Sequence, residues 1–146
     1  MIIKTQLIQF IIMFLVGILF NPMNMLAFRL DDLYLSLTLI YGGLLMASNM
    51  IWAHELVHYF SMGHFNPYIF LFGILLSIII VFVFLRKQLF VNDKQWLKRM
   101  ISHHSTALTT SNNISKKTNN KKLRKLANDI IKVQEQEITL MKSMIN

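Results

Sequence analysis

Three long apolar runs constrain the fold of this chain more than any other feature of its sequence. They cover about residues 7–28, 33–53 and 68–85. Each run is close to the ~20 residues that an α-helix needs to cross a hydrocarbon layer about 30 Å thick. A signal peptide would also explain the first run, but no small-residue cleavage site precedes Asn21 and two further runs follow. The sequence therefore predicts an all-α, multi-pass integral membrane protein with three transmembrane helices in a first domain, residues 1–88.

The second predicted domain, residues 89–146, is set apart by its charge. From Arg86 onward there are 13 Lys and Arg against 4 Asp and Glu, a net charge of +9, whereas residues 1–85 sum to −1. Such a segment faces water. Basic residues flanking membrane spans favour the cytoplasmic side, and Arg29, Arg86 and Lys87 outnumber Lys4. We therefore expect the second domain in the cytoplasm and, with three spans, the N-terminus on the opposite side.

Two helical patterns in the second domain predict an α-helical hairpin. The first helix starts at Asn92 or Asp93, and the polar stretch "SKKTNNKK" is the turn. In the second helix, apolar residues at three- and four-residue steps predict a core stripe: Leu123, Leu126, Ile130, Val133, Leu140 and Met144. About 50 residues bury too little surface to be stable alone. The hairpin is therefore expected to pack on a second copy, as in a four-helix bundle, or on the membrane helices.

Five polarisable or charged side chains of this hairpin are candidate metal ligands. Glu137 continues the apolar stripe, where a lone carboxylate is costly to bury. An antiparallel hairpin brings Glu137 and Met141 towards Met100, His103 and His104 on the first helix. These residues form either a metal site or a buried His–Glu pair that fixes the register. Because the chain has no cysteine, a soft metal must be held by Met and His, which favours copper(I) over zinc.

The same residues carry a resemblance to a known family. The segments "DKQWLKRMISHH", residues 93–104, and "QEQEITLM", residues 134–141, resemble the domain-of-unknown-function family 305, DUF305. Its pattern also has a Leu-Ala pair, matched by Leu126-Ala127, whereas Ser102 here replaces the usual Pro and Trp96 the usual Tyr or Phe. The resemblance implies a ferritin-like helical bundle, with copper binding or copper resistance for some members, and a membrane-bound subgroup with three spans. It also implies an exported domain, since many soluble relatives look exported.

The segment His54-Glu-Leu-Val-His58 matches the zinc-peptidase pattern H-E-x-x-H, and His64 lies where some of these enzymes have a third ligand. That longer pattern requires glycine where this chain has Ser61. The enzymes also need a substrate-aligning sheet and a cleft, and no strand-rich segment is visible. A membrane zinc metalloprotease is therefore the least favoured function. We expect no catalytic residue, and we expect that Glu55 is not a catalytic base.

A different pattern includes the same histidines. Met46, Met50, His54, His58 and Met62 follow one another at steps of four, which makes them neighbours along one face of a helix. They form a second candidate metal site. The alternative is that the methionines pack in the bilayer or against other helices and that the histidines lie at the membrane interface.

Together these observations predict a membrane-anchored, homo-oligomeric metal-binding protein that uses copper in homeostasis or resistance and contacts membrane lipid. The alternative is a scaffold without metal whose basic hairpin binds a partner or anionic lipid. Aromatic residues do not alternate with the basic residues of the tail as they do in proteins that stack on bases, so nucleic acid is not an expected partner.

Overall fold

The computed structural model describes residues 2–145 and, from Lys4 onward, their side chains. Over this range the chain is helical and contains no strand, so the predicted all-α class is confirmed. The elements, in chain order, are α1 (Ile2–Leu19), α2 (Pro22–Met25), a 3-10 turn (Leu30–Asp32), α3 (Leu37–Met62), α4 (Pro67–Ile79), a π-helical turn (Ile80–Leu85), α5 (Asp93–Lys117) and α6 (Lys121–Ile145).

These elements form two compact units. The first, here called the three-helix unit, contains α1, α3 and α4 and includes Thr38–Phe90. The second, the hairpin unit, contains α5 and α6 together with Asn21–Leu37. The division expected from sequence, 1–88 and 89–146, places residues 21–37 with the membrane helices, whereas in the structure they group with the hairpin.

In the three-helix unit, α3 packs closely against both neighbouring helices through glycines. A Cβ added at Gly17 of α1 would lie 2.9 Å from the Cα of Gly43 in α3. A Cβ added at Gly73 of α4 would lie 2.9 Å from the backbone N of Trp52 in α3. Such small-residue contacts, which let backbones approach, are characteristic of helix pairs in membranes. The inner position of α3 therefore depends on glycine at these points.

Within residues 2–145, two helical segments, not three, are long and apolar enough to cross a membrane, Lys4–Met25 and Pro67–Leu85. The predicted span at 33–53 is wrong, because the helix in this region, Leu37–Met62, is long enough but not apolar enough. Polar side chains such as Ser48 and His54 lower its hydropathy. Ser48 is fully buried against the neighbouring helix, where its hydroxyl lies 2.9 Å from that of Ser77. A helix that is covered by its neighbours does not need the apolar surface of a lipid-facing one.

The hairpin is confirmed, and its first helix starts where the sequence predicts. The side chain of Asn92 accepts a hydrogen bond from the backbone N of Gln95 at 3.0 Å, which caps α5. The core between the helices consists of five buried residues: Leu97, Ile101, Leu108, Ile138 and Met141.

The predicted core stripe of α6 is wrong. Leu126 is 55% exposed, Val133 47%, Leu140 56% and Met144 59%. The face that packs on α5 instead carries Ala127, Ile131, Ile138, Met141 and Ile145. The helix thus has two apolar stripes about one residue apart, and helical periodicity alone does not indicate which of them meets α5.

Residues 21–37 are held on the hairpin by a buried polar network that sequence analysis missed. Asp32 is fully buried, and its carboxylate lies 2.6 Å from Nζ of Lys142 on α6. Ser105 of α5 donates a hydrogen bond to the same carboxylate at 2.6 Å. Ser102, which replaces the family's usual proline, donates to the backbone carbonyl of Asp32 at 2.7 Å. The departure at Ser102 therefore supplies a tertiary contact.

Candidate metal centre

The structure brings His104 of α5 and Glu137 of α6 into direct contact. Nδ1 of His104 lies 3.0 Å from Oε2 of Glu137. The histidine side chain is largely buried, whereas about half of the Glu137 side chain is exposed. Nδ1 itself is buried, and the Glu137 carboxylate is its ion-pair partner.

This arrangement fits a shared cation. An imidazole nitrogen and a carboxylate oxygen bind zinc at about 2.0–2.2 Å, so two such ligands at a tetrahedral angle lie about 3.3 Å apart. The observed separation of 3.0 Å is close to that value. The same distance suits a protonated histidine paired with Glu137, the alternative foreseen from sequence.

The two predicted methionine ligands lie on the core side of this pair. Met141 is buried in the hairpin core, and Met100 packs against that core. Both are therefore within the same region of the hairpin as His104 and Glu137, one turn away along each helix. Their thioethers are soft donors suited to copper(I).

The fifth predicted ligand, His103, lies on the exposed side. Its ring centroid is 5.9 Å from that of His104. Partial burial lowers the pKa of His103, and the neighbouring charges of His104 and Arg99 lower it further. A lowered pKa keeps the ring neutral at pH values where an ordinary histidine begins to protonate, and the neutral ring is the form that binds metal.

The second candidate site is only partly assembled as predicted. His54, His58 and Met62 line a common cavity of about 630 Å³ in the three-helix unit. His64 also lines it, and the ring centroids of His54–His58 and His58–His64 are 5.7 and 6.1 Å apart. Met46 lies against Gly17 of α1, and neither Met46 nor Met50 lines this cavity.

Glu55, between the two histidines, is held in a fully bonded position. It is 4% exposed. Its Oε1 accepts a hydrogen bond from Nε2 of Gln6 at 3.2 Å, and its Oε2 accepts one from the backbone N of Asn66 at 3.0 Å. Glu55 thus joins the end of α3 to α1 and to the start of α4. Gln6 lies directly before the first apolar run, and the sequence did not predict this contact.

Among residues 2–145, no three His, Asp or Glu side chains lie close enough together to hold a metal ion by themselves. Both candidate sites combine histidine with methionine.

Fold and site together define a small all-α protein with two helices capable of crossing a membrane and a separate helical hairpin with a His–Glu–Met cluster. Residues 86–145 match the family described as "Domain of unknown function (DUF305)". The chain is 36% identical over 141 residues to "Uncharacterized protein L153" of Acanthamoeba polyphaga mimivirus, an alignment that covers 96% of this chain and 90% of that protein. The chain therefore belongs to the same family as that viral protein and contains a DUF305 domain. No solved structure matches it.

Proposed function

We propose that this protein is a multi-pass, membrane-anchored metal-binding protein that holds copper for homeostasis or resistance and does not turn over a substrate. The observation that carries the proposal is the contact between Nδ1 of His104 and the carboxylate of Glu137, 3.0 Å apart, with Met100 and Met141 one turn away along the two helices. An imidazole and a carboxylate at this distance can share a cation, and the neighbouring thioethers are soft donors.

The residues that would hold the ion are Met100, His103, His104, Glu137 and Met141. Thioether and imidazole donors favour copper(I), with zinc second. In this arrangement His104 and Glu137 contact the ion from the two helices, and His103 is kept in its neutral form. Bound copper would supply a cross-link between α5 and α6. Detergent-purified protein is expected to contain about one copper per hairpin. A metal-free wild type that also refuses copper(I) at micromolar concentrations would contradict the proposal.

The second candidate function is a scaffold without metal, and the same contact supports it. A protonated His104 paired with Glu137 would fix the register of the hairpin without an ion. Its basic surface would then serve to bind anionic lipid or a partner. Metal content separates the scaffold from the copper-binding protein. The scaffold also predicts that a chelator leaves the stability of the hairpin unchanged.

Peptide hydrolysis is not expected, since both carboxylate oxygens of Glu55 accept hydrogen bonds within the fold. Glu55→Gln should instead lower the thermal stability of the three-helix unit, because an amide cannot accept with both of its end atoms. The measurement is a melting curve together with a peptidase assay. Glu135→Gln is the matched control, since Glu135 forms only an exposed ion pair with Arg29. Peptidase activity that Glu55→Gln abolishes in a folded protein would show that the assignment is wrong.

Membrane topology is constrained by the contacts of residues 21–37 with the hairpin. Because Arg29 pairs with Glu135 and Asp32 with Lys142, Arg29 and the hairpin lie on the same side of any membrane. Arg29, Arg86 and Lys87 then flank the spans on that side. We therefore expect the hairpin in the cytoplasm. Protease added to intact cells should leave it uncut, and protease added to permeabilised cells should cut it. Cleavage in intact cells would reverse the orientation.

A further inference from the structure

Helix α6 carries an exposed apolar stripe in addition to the face that packs on α5. Leu126, Val133, Leu140 and Met144 are each about half exposed. Together with positions 123, 130 and 137, these residues form a series at alternating steps of three and four along the helix: 123, 126, 130, 133, 137, 140 and 144. This spacing is the heptad repeat of a coiled coil, with Glu137 at one of the seam positions.

The width of the stripe indicates a helix as its partner. A seam of two positions in seven is the narrow stripe by which one helix packs on another. Helices that lie on a lipid surface have a broader apolar face, commonly with Trp or Phe. Helix α6 contains no aromatic residue. The stripe is therefore better suited to an identical helix than to a membrane surface.

We propose that this stripe is the interface between two copies of the chain, and that the two α6 helices pack against each other in antiparallel orientation. The proposal makes specific the association of hairpins that the sequence predicts, and it does not require copper to be bound.

The orientation follows from the charges on α6. Residues 121–132 contain five Lys or Arg and one Asp, whereas residues 133–145 contain two Glu and one Lys. A parallel pair would place the two basic halves together and would bring two copies of Glu137 face to face in the seam. Like charges at such positions are destabilising, and buried ones strongly so. An antiparallel pair places the basic half of each helix against the other half of its partner.

This interface also involves the candidate metal centre. Glu137 contacts His104 with part of its carboxylate, and about half of its side chain is exposed along the seam. A second copy covers that half. The His104–Glu137 pair is then removed from water on both sides, which strengthens any charge interaction within it. The second copy would therefore shield the candidate metal centre from water.

The first test is the mass of the full chain in detergent, measured by light scattering in the presence of a metal chelator. Wild type is expected to be a dimer. Leu140→Lys places a charge in the seam and should halve the protein mass, with helicity unchanged because Leu140 does not belong to the hairpin core. Thr139→Lys is the matched control, since Thr139 is exposed, is adjacent in sequence and lies outside the seam.

The second test measures orientation with spin labels, which the absence of cysteine makes selective. Lys125→Cys and Lys132→Cys are exposed, equivalent positions one heptad apart. In an antiparallel dimer the labels at 125 should be about 20 Å farther apart along the helix axis than those at 132, because each helix rises about 1.5 Å per residue. In a parallel dimer the two distances should be similar.

The outcomes separate the interface from the copper proposal. A dimer that persists in chelator and is lost in Leu140→Lys supports the interface, even if no copper binds. If the membrane helices keep two copies together, the protein mass does not change. In that case, loss of the short label-to-label distance at position 132 in Leu140→Lys supports the interface. A monomeric wild type, or mass and distances that Leu140→Lys leaves unchanged, would overturn the proposal. Similar distances at 125 and 132 would overturn the antiparallel orientation. If the wild type is a monomer that binds vesicles, and Leu140→Lys abolishes this binding, the stripe would be assigned to lipid.

Discussion

Replacement of His103 and His104 together by alanine is expected to remove stoichiometric copper from the purified protein while the three-helix unit stays folded. His104 lies in contact with Glu137, and His103 is its neighbour on α5. Without the two imidazoles, the carboxylate is a hard donor and only two soft donors remain, too few to hold copper(I) tightly. The measurement is metal analysis after detergent purification, with circular dichroism as the test of folding.

The same variant should lose the stabilisation that copper gives. A ligand present at a hundred times its dissociation constant stabilises the state that binds it by about 2.7 kcal/mol. Copper should therefore raise the melting temperature of the wild-type hairpin and leave that of the double variant unchanged. Lys116→Ala with Lys117→Ala is a control for two adjacent substitutions on α5, because both lysines are exposed and have no soft donor atom. Full copper content in the double histidine variant would contradict the metal assignment.

Asp32→Ala is expected to destabilise the hairpin unit by about 1–3 kcal/mol, the usual cost of leaving a buried polar group without its partner. Asp32 is fully buried and lies 2.6 Å from Nζ of Lys142. Its loss leaves the ammonium group without its partner and the hydroxyl of Ser105 without its acceptor. Residues 21–37 should then separate from α5 and α6 at lower denaturant concentration.

Denaturant unfolding measures this effect when the fluorescence reports only on the hairpin. The chain has two tryptophans, so a Trp52→Phe background leaves Trp96 of α5 as the probe. Asp31→Ala is the matched control, because Asp31 is the adjacent carboxylate and is exposed. Asp32→Asn combined with Lys142→Met should recover much of the lost stability, since it removes both charges. An Asp32→Ala variant as stable as Asp31→Ala would show that the buried pair contributes nothing.

Part of the candidate site followed from the sequence because it depends on local spacing. His104 and Glu137 each lie at a position fixed by helical periodicity, and a short polar turn between two helices makes them antiparallel neighbours. Their contact, at 3.0 Å, is confirmed. Whether a metal is bound there stays a prediction. The buried pair of Asp32 and Lys142 had no such signal, because 110 residues separate its two members.

The sequence by itself determined the all-α class, the start of α5 at Asp93, the hairpin and the pairing of its two helices. These properties depend on caps, turns and apolar periods within a few residues of each other. Only the tertiary structure decided which apolar stripe of α6 is buried and that residues 21–37 join the hairpin. It also decided that α3 is the inner helix of its unit, covered by α1 and α4. Each of these depends on which surfaces meet, and burial is set by contacts between distant segments that local spacing does not encode.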